Sequence, residues 1–283
     1  MIERLAIVGV GLLGGSVAKA ARAHAVAREI VGVGRDLGRL QPAVRDGALD
    51  RATTDLAEGV AKADLVVLGA TVLANETLLP EVWRAAPAGC VVTDVGSTKG
   101  GIVAVADRLA AARRDVQFVG SHPMAGSEKA GYAVAREDLF TGATVVVTPG
   151  DAGDARAVKG VGEFWAALGA RVVTLDAAIH DRAVAAISHL PHVVAWALVD
   201  AVGRFEPEAL AIAARGFKDT TRIAASDPDV WREILLGNRE AVLGSVTAFR
   251  RALDDLERLV ADDDGAALTA YLARVKATRE SLA

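Results

Sequence analysis

Cysteine is nearly absent: the 283 residues contain one, Cys90. It has no partner for an intramolecular disulfide, and its place in the apolar run Cys90-Val91-Val92 reads as a buried thiol in a reducing, cytoplasmic setting. Positive charge is not in excess either. The formal net charge is −4, so no global field draws in nucleic acid or acidic membranes, and an anionic ligand must meet a local cluster of Arg and Lys. No apolar run reads as long enough to span a bilayer, and the first one is interrupted by glycines, unlike a signal peptide. Repeats and low-complexity tracts are missing. So is a metal-binding pattern: His189 and His192 could share a helix face, but no third ligand follows, and Asp262-Asp263-Asp264 reads as a solvated turn.

What is present is apolar bulk, 52% of the residues, enough for one large domain or two of ordinary size. The first 37 residues are the most informative. A short apolar strand leads into Gly9-x-Gly11-x-x-Gly14, then a helix, then a second apolar strand ending at Gly34-Arg35. That is the layout of a dinucleotide-binding βαβ unit. Gly9 permits the tight turn, Gly11 lets the backbone approach a pyrophosphate, and Gly14 lets helix and strand pack closely. The phosphates would sit on the free N–H groups that open the helix, at Leu12 and Leu13.

Strand-like runs at Leu5–Gly9, Ile30–Val33, Leu65–Leu68, Val91–Asp94, Phe118–Gly120, Thr144–Val147 and Val172–Leu175 alternate with helical patterns. This predicts an α/β fold, a Rossmann-type, mostly parallel sheet with helices on both faces, over residues 1–175. Strands then stop. Ala177–Arg204, Glu206–Arg215, Pro228–Asp255 and Ala266–Ser281 read as helices, so residues 176–283 are expected to form an all-helical substrate and dimerisation domain, its apolar surface covered by a second copy. Pro191, inside the first of these, is expected to kink it, free a carbonyl near Ile187 and re-aim His192.

The end of the second strand selects the cofactor. Gly34 stands where an acidic residue would bind the ribose, with Arg35 beside it, which leans toward NADP over NAD; Asp36 could still reach the ribose. Three later segments concentrate polar residues between glycines. Thr93-Asp94-Val95-Gly96-Ser97-Thr98-Lys99-Gly100 follows a buried strand and places Ser97 near cofactor or substrate; it lacks the spacing of a phosphate-binding P-loop. Gly120-Ser121-His122-Pro123-Met124-Ala125-Gly126-Ser127-Glu128-Lys129 puts a histidine at a strand's carboxyl end, suited to acid–base work near neutral pH. Ser188-His189-Leu190-Pro191-His192 and Arg215-Gly216-Phe217-Lys218-Asp219-Thr220-Thr221-Arg222 are the third constellation.

DVGSTKG, GSHPMAGSEKAG, ISHLPHVVAWAL and GFKDTTRIAASDPDVW, in this order behind GxGxxG, make the chain resemble the prephenate/arogenate dehydrogenases of tyrosine biosynthesis over essentially its whole length. The resemblance implies a cytoplasmic homodimer that oxidatively decarboxylates a dianionic cyclohexadienyl substrate. The substrate would be prephenate, giving 4-hydroxyphenylpyruvate, or arogenate, giving tyrosine; hydride goes to NADP or NAD, with no metal, nucleic acid or membrane involved. It implies His122 and Ser97 as catalytic residues, and His192, Arg222, Glu128, Lys218 and Trp231 as substrate-binding. Gly9, Gly11, Leu12, Leu13, Gly14, Arg35, Asp36, Thr71 and Ser97 would hold the cofactor. Lys218 and Asp219 either orient Arg222 or form a structural ion-pair network, and His189 caps or packs its helix. A β-hydroxyacid-type dehydrogenase shares the two-domain plan but carries a catalytic lysine on the inter-domain helix, where this chain has His189 and His192.

Overall fold

The structure, a computed structural model, describes residues 2–126 and 129–282. Glu128, one of the expected substrate ligands, lies outside them. The first half alternates β1 (Ile2–Val8), α1 (Leu12–Ala23), β2 (Ala27–Val33), α2 (Leu37–Arg45), β3 (Arg51–Thr53), α3 (Leu56–Val60), β4 (Leu65–Leu68), α4 (Val72–Ala85), β5 (Val91–Asp94), α5 (Gly100–Ala112) and β6 (Gln117–Pro123). β7 (Thr144–Pro149), α6 (Ala155–Ala167) and β8 (Arg171–Thr174) complete one eight-stranded sheet in the order β3-β2-β1-β4-β5-β6-β7-β8. All neighbours run parallel except β6 and β7, where His122 lies opposite Val146 in an antiparallel pair. β3 and α3 did not stand out in the sequence; three and five residues are too short to show a hydrophobic period.

Strands β1, β2 and β4 are near-continuous apolar runs because both faces are covered. Val17, Ala21, Phe164 and Trp165 of α1 and α6 pack on one side, and Leu79, Trp83, Ile102 and Ala106 of α4 and α5 on the other. The strand order reverses between β1 and β4, which opens a crevice outside their carboxyl ends. Cys90 is buried just before β5, and desolvation pushes its thiol up to about 12, so it is an inert core residue.

After β8 the chain is helical: α7 (Ala177–Val184), a π-turn (Ala185–His189), α8 (Leu190–Phe205), α9 (Arg215–Thr221), α10 (Pro228–Gly237), α11 (Arg239–Ala261) and α12 (Gly265–Glu280). The expected helix over Glu206–Arg215 is instead a 3₁₀ segment, Pro207–Ile212, and the single stretch expected over Pro228–Asp255 is broken at Asn238 into α10 and α11. Ala177–Phe205 forms one 29-residue helical rod, long and apolar enough by length and composition to cross a membrane. This corrects the reading that no stretch reaches that length; Pro191 and the histidines hide an apolar average. The irregularity expected of Pro191 falls one turn earlier, in the π-turn, and the carbonyl taken up by a side chain is that of Ser188, which accepts from His192 Nδ1 at 2.9 Å. Leu243, Leu253 and Val260 of α11 remain half or more exposed, so this helical region presents an unburied apolar face.

Candidate active site

The glycine turn is shaped for a dinucleotide. Gly9 has φ +97°, and a Cβ on Gly14 would lie 2.0 Å from the Gly9 carbonyl, so α1 starts in near contact with β1. Beside Gly11 there is open space, and no side chain caps α1. The first N–H groups, near half-buried Leu12 and Leu13, are thus left to an anion, the arrangement a pyrophosphate fits. At the end of β2, Arg35 is exposed. Asp36 is committed locally: its Oδ1 accepts from Gly38 N at 2.8 Å and caps α2. Thr71 stands exposed at the start of α4, where Asn75 ties the β4 loop together by accepting from Ala70 N at 3.0 Å.

The loop carrying Ser97 is held by a network the sequence did not reveal. β5 and β6 pair only at Val91–Gln117 and Val92–Phe118 before they diverge. Side chains fill the gap. Asp94 accepts from Gly96 N at 2.8 Å and from Ser121 N at 3.1 Å, and forms a fully buried ion pair with Lys99. Lys99 Nζ also donates to the Ser121 carbonyl at 2.9 Å. The Ser121 hydroxyl donates to the Asp94 carbonyl and accepts from Trp165 Nε1 at 3.0 Å. Half-buried Ser97 and buried His122 are each one or two residues from this knot, which fixes the two segments against one another.

Four of the chain's five histidines converge beside it. His122 Nδ1 lies 2.9 Å from His180 Nε2, and His180 Nδ1 lies 2.8 Å from Asp181 Oδ1. The same carboxylate accepts the Lys99 and Gly100 N–H groups, both at 2.8 Å, and so caps α5 from a different helix. These bonds outweigh desolvation and hold Asp181 below the usual carboxylate range. Burial first, then His180, Lys99 and His189, push His122 well below an ordinary histidine, so the imidazole is neutral near pH 7. His189 is buried in the same group. Asn238 donates to the Asp181 carbonyl at 2.7 Å and lies 3.2 Å from His189 Nδ1. Burial also lowers His189, to about 4. The expectation that His189 packs its helix holds, and its ring also meets Trp231 edge-on at 5.9 Å.

His192 stacks on Trp231 at 3.6 Å, and Trp196 closes the cluster at 5.4 Å from Trp231. Burial, opposed by the Ser188 bond, and nearby Arg222 lower the titration of His192. Arg222, at the end of α9, is therefore close to this ring. Lys218 is exposed on α9, and Asp219 pairs with Arg215 at 3.1 Å, an ordinary helix-surface pair. The structure thus brings His122, His180, Asp181, His189, His192, Trp231 and Arg222 into one continuous strip beside the Ser97 loop. His180, Asp181, Lys99, Asp94 and Asn238 were not expected from sequence. Of these, Asp94 and Lys99 lie inside the segment singled out for Ser97, while nothing in the sequence marks His180, Asp181 or Asn238.

A family model described as "Prephenate dehydrogenase, nucleotide-binding domain" matches residues 17–174, and one described as "Prephenate dehydrogenase, dimerization domain" matches residues 176–274. The chain is 34% identical to a prephenate dehydrogenase of Bacillus subtilis, over 100% of this chain and 76% of that protein. It superposes with a TM-score of 0.93, at 33% identity and over 100% and 99% of the two chains, on prephenate dehydrogenase of Aquifex aeolicus in complex with hydroxyphenyl propionate and NAD+. Arogenate dehydrogenase of Synechocystis gives a TM-score of 0.87 at 29% identity, over 99% and 100% of the chains.

Proposed function

Since this chain belongs to the prephenate dehydrogenase family, we propose that its glycine turn and histidine strip carry out the oxidative decarboxylation of prephenate, with His122 as the base. It is a dehydrogenase that uses a nicotinamide dinucleotide. One observation carries the assignment of the base: a buried imidazole, kept neutral by its surroundings, at the carboxyl end of a strand beside the Ser97 loop.

The substrate has a hydroxyl and a hydrogen on the same ring carbon. The nicotinamide, when bound, supplies the acceptor for that hydrogen as hydride. His122 takes the hydroxyl proton: the O–H bond breaks and an N–H bond forms as the carbon loses hydride. Ser97 hydrogen-bonds the same hydroxyl or the imidazole. The ring is then a dienone. Loss of CO₂ returns the electrons of the broken C–C bond to the ring, which becomes aromatic, and the phenolate oxygen takes its proton back from His122. No proton is gained or lost over the cycle.

The substrate's carboxylates require local cations. Arg222 is assigned to one of them, since guanidinium pairs with carboxylate through two parallel hydrogen bonds. His192, Trp231, Lys218 and Glu128 complete the substrate-binding set, with His192 held in place by Ser188 and by its stacking on Trp231. Arg222→Ala is expected to raise KM for the substrate about 10- to 100-fold, the loss of a charge-assisted bond of roughly 1.5–3 kcal/mol, with kcat changed far less. An unchanged KM refutes the role.

Gly9, Gly11, Leu12, Leu13, Gly14, Arg35, Thr71 and Ser97 form the proposed cofactor set. Asp36 is the weakest member, because its carboxylate already caps α2. That commitment and the exposed Arg35 favour NADP over NAD. Relatives named for prephenate and for arogenate fit this chain at similar identity, so arogenate is the second reading. The testing experiment is steady-state turnover with prephenate and arogenate, each with NAD+ and NADP+. Highest kcat/KM is expected for prephenate with NADP+. A strong preference for NAD+ sinks the cofactor reading, and turnover of neither acid sinks the function.

The exposed apolar residues of α11 are assigned to a homodimer interface. The long apolar rod is assigned to the same assembly rather than to a membrane, because its first half delivers His180, Asp181, His189 and His192 to the site. A cytoplasmic location accords with that reading.

A further inference from the structure

We propose that His180 and Asp181 act as positioning residues that lock His122 in the one tautomer able to serve as a base and hold the borrowed proton out of reach of water. The inference rests on His122 being the base of the reaction above and adds two residues to it.

The tautomers follow from one fixed end. Asp181 is an ionised carboxylate seated on the first N–H groups of α5, with Lys99 N and Gly100 N each 2.8 Å from it. A carboxylate only accepts, so His180 Nδ1, 2.8 Å from Oδ1, carries the hydrogen. In the neutral ring His180 Nε2 is then bare. It lies 2.9 Å from His122 Nδ1 and must accept from it, so His122 carries its hydrogen on Nδ1. Nε2 of His122 is left with a free lone pair. Reversing either ring would set two lone pairs or two hydrogens against each other across a bonding distance inside the protein, which burial makes costly.

The chain is also sealed. His122 and Asp181 are 8% exposed and His180 is wholly buried. His122 faces His180, Lys99 and His189, and Asp181 faces His180, Lys99 and Gly100. A route to solvent is not needed, because the proton taken from the hydroxyl returns to the same oxygen after CO₂ leaves. What is needed is a brief home for it. With Lys99 and two further histidines nearby, an added proton on His122 is linked through His180 to a carboxylate. Asp181, two hydrogen bonds away, balances the imidazolium in the manner of the third member of a catalytic triad.

The test begins with the unmodified enzyme, labelled with ¹⁵N-histidine and free of ligands. The expected spectrum shows His122 and His180 each protonated on Nδ1 and bare on Nε2. Two substitutions follow. His180→Leu removes the acceptor for His122 Nδ1–H and is expected to lower kcat about 100-fold, the low end of what a base contributes, with NADPH affinity unchanged. His180→Gln offers a carbonyl oxygen in place of Nε2 and is expected to recover most of that loss. A spectrum with His122 protonated on Nε2 overturns the proposal, as does a His180→Leu enzyme that turns over like the wild type or no slower than His180→Gln. If His180→Leu does not fold, the spectrum of the wild type still decides. Failure of the underlying base assignment looks different: His122→Asn would then keep its turnover while the tautomers stand as described.

Discussion

His122→Asn is expected to lose about 10³-fold in kcat, within the range a general base contributes, while binding the nicotinamide dinucleotide as the wild type does. The asparagine amide fits beside His180 but has no basic lone pair, and the glycine turn that would hold the pyrophosphate lies on other strands. The pH profile of the wild type carries a second sign of the same residue. Burial and three neighbouring nitrogenous side chains disfavour the imidazolium, so the fully active neutral form persists below the ordinary histidine value. Only when the pH falls through that depressed value does the ring charge and the rate drop. The acid limb of kcat/KM is therefore expected below pH ~6.5. Wild-type turnover in the variant, or an acid limb above that value that His122→Asn abolishes, would each contradict the assignment.

The second large effect is on stability. Lys99 is 0% and Asp94 1% exposed, and they pair with each other at the point where β5 and β6 separate. Lys99→Met leaves the Asp94 carboxylate with two backbone N–H partners and no counter-charge, and strips the Ser121 carbonyl of its donor. Breaking one side of a buried pair costs roughly 3–5 kcal/mol, a large share of the stability of about 5–15 kcal/mol typical of a folded chain. Urea denaturation should show that loss. Because Ser97 sits between the two partners, turnover should fall as well. An Asp94→Leu/Lys99→Met double variant removes both charges and should recover stability relative to Lys99→Met alone, since replacing both members of a buried pair with apolar groups is often neutral. A loss under about 1 kcal/mol in the single variant would contradict the role given to this buried pair.

Much of the fold was legible because its signals are local. The glycine turn, the apolar strands and the change from alternation to helices near Asp176 each depend on residues a few positions apart. β3 and α3 are too short to carry such a pattern. The break at Asn238 was missed for another reason: Gly237-Asn238 is a helix-ending pair of residue types, but helical pattern continues on both sides of it, and the asparagine serves Asp181 and His189. His122, His192, Trp231 and Arg222 could be singled out through their motifs. His180 could not. It lies in an unremarkable helix, 58 positions from the ring it touches.

The sequence by itself determined the strand–helix alternation, the dinucleotide turn, the order of the motifs and hence the family, because each is encoded in residue type and short spacing. Only the tertiary structure decided which nitrogen of His122 is bare, what cancels Lys99, and that Asp36 is already spent on a helix end. Those outcomes depend on donors and acceptors brought within 3 Å by the packing of α5, α7 and β6. Hydrogen bonds act over that range only, so separation along the chain carries no trace of them.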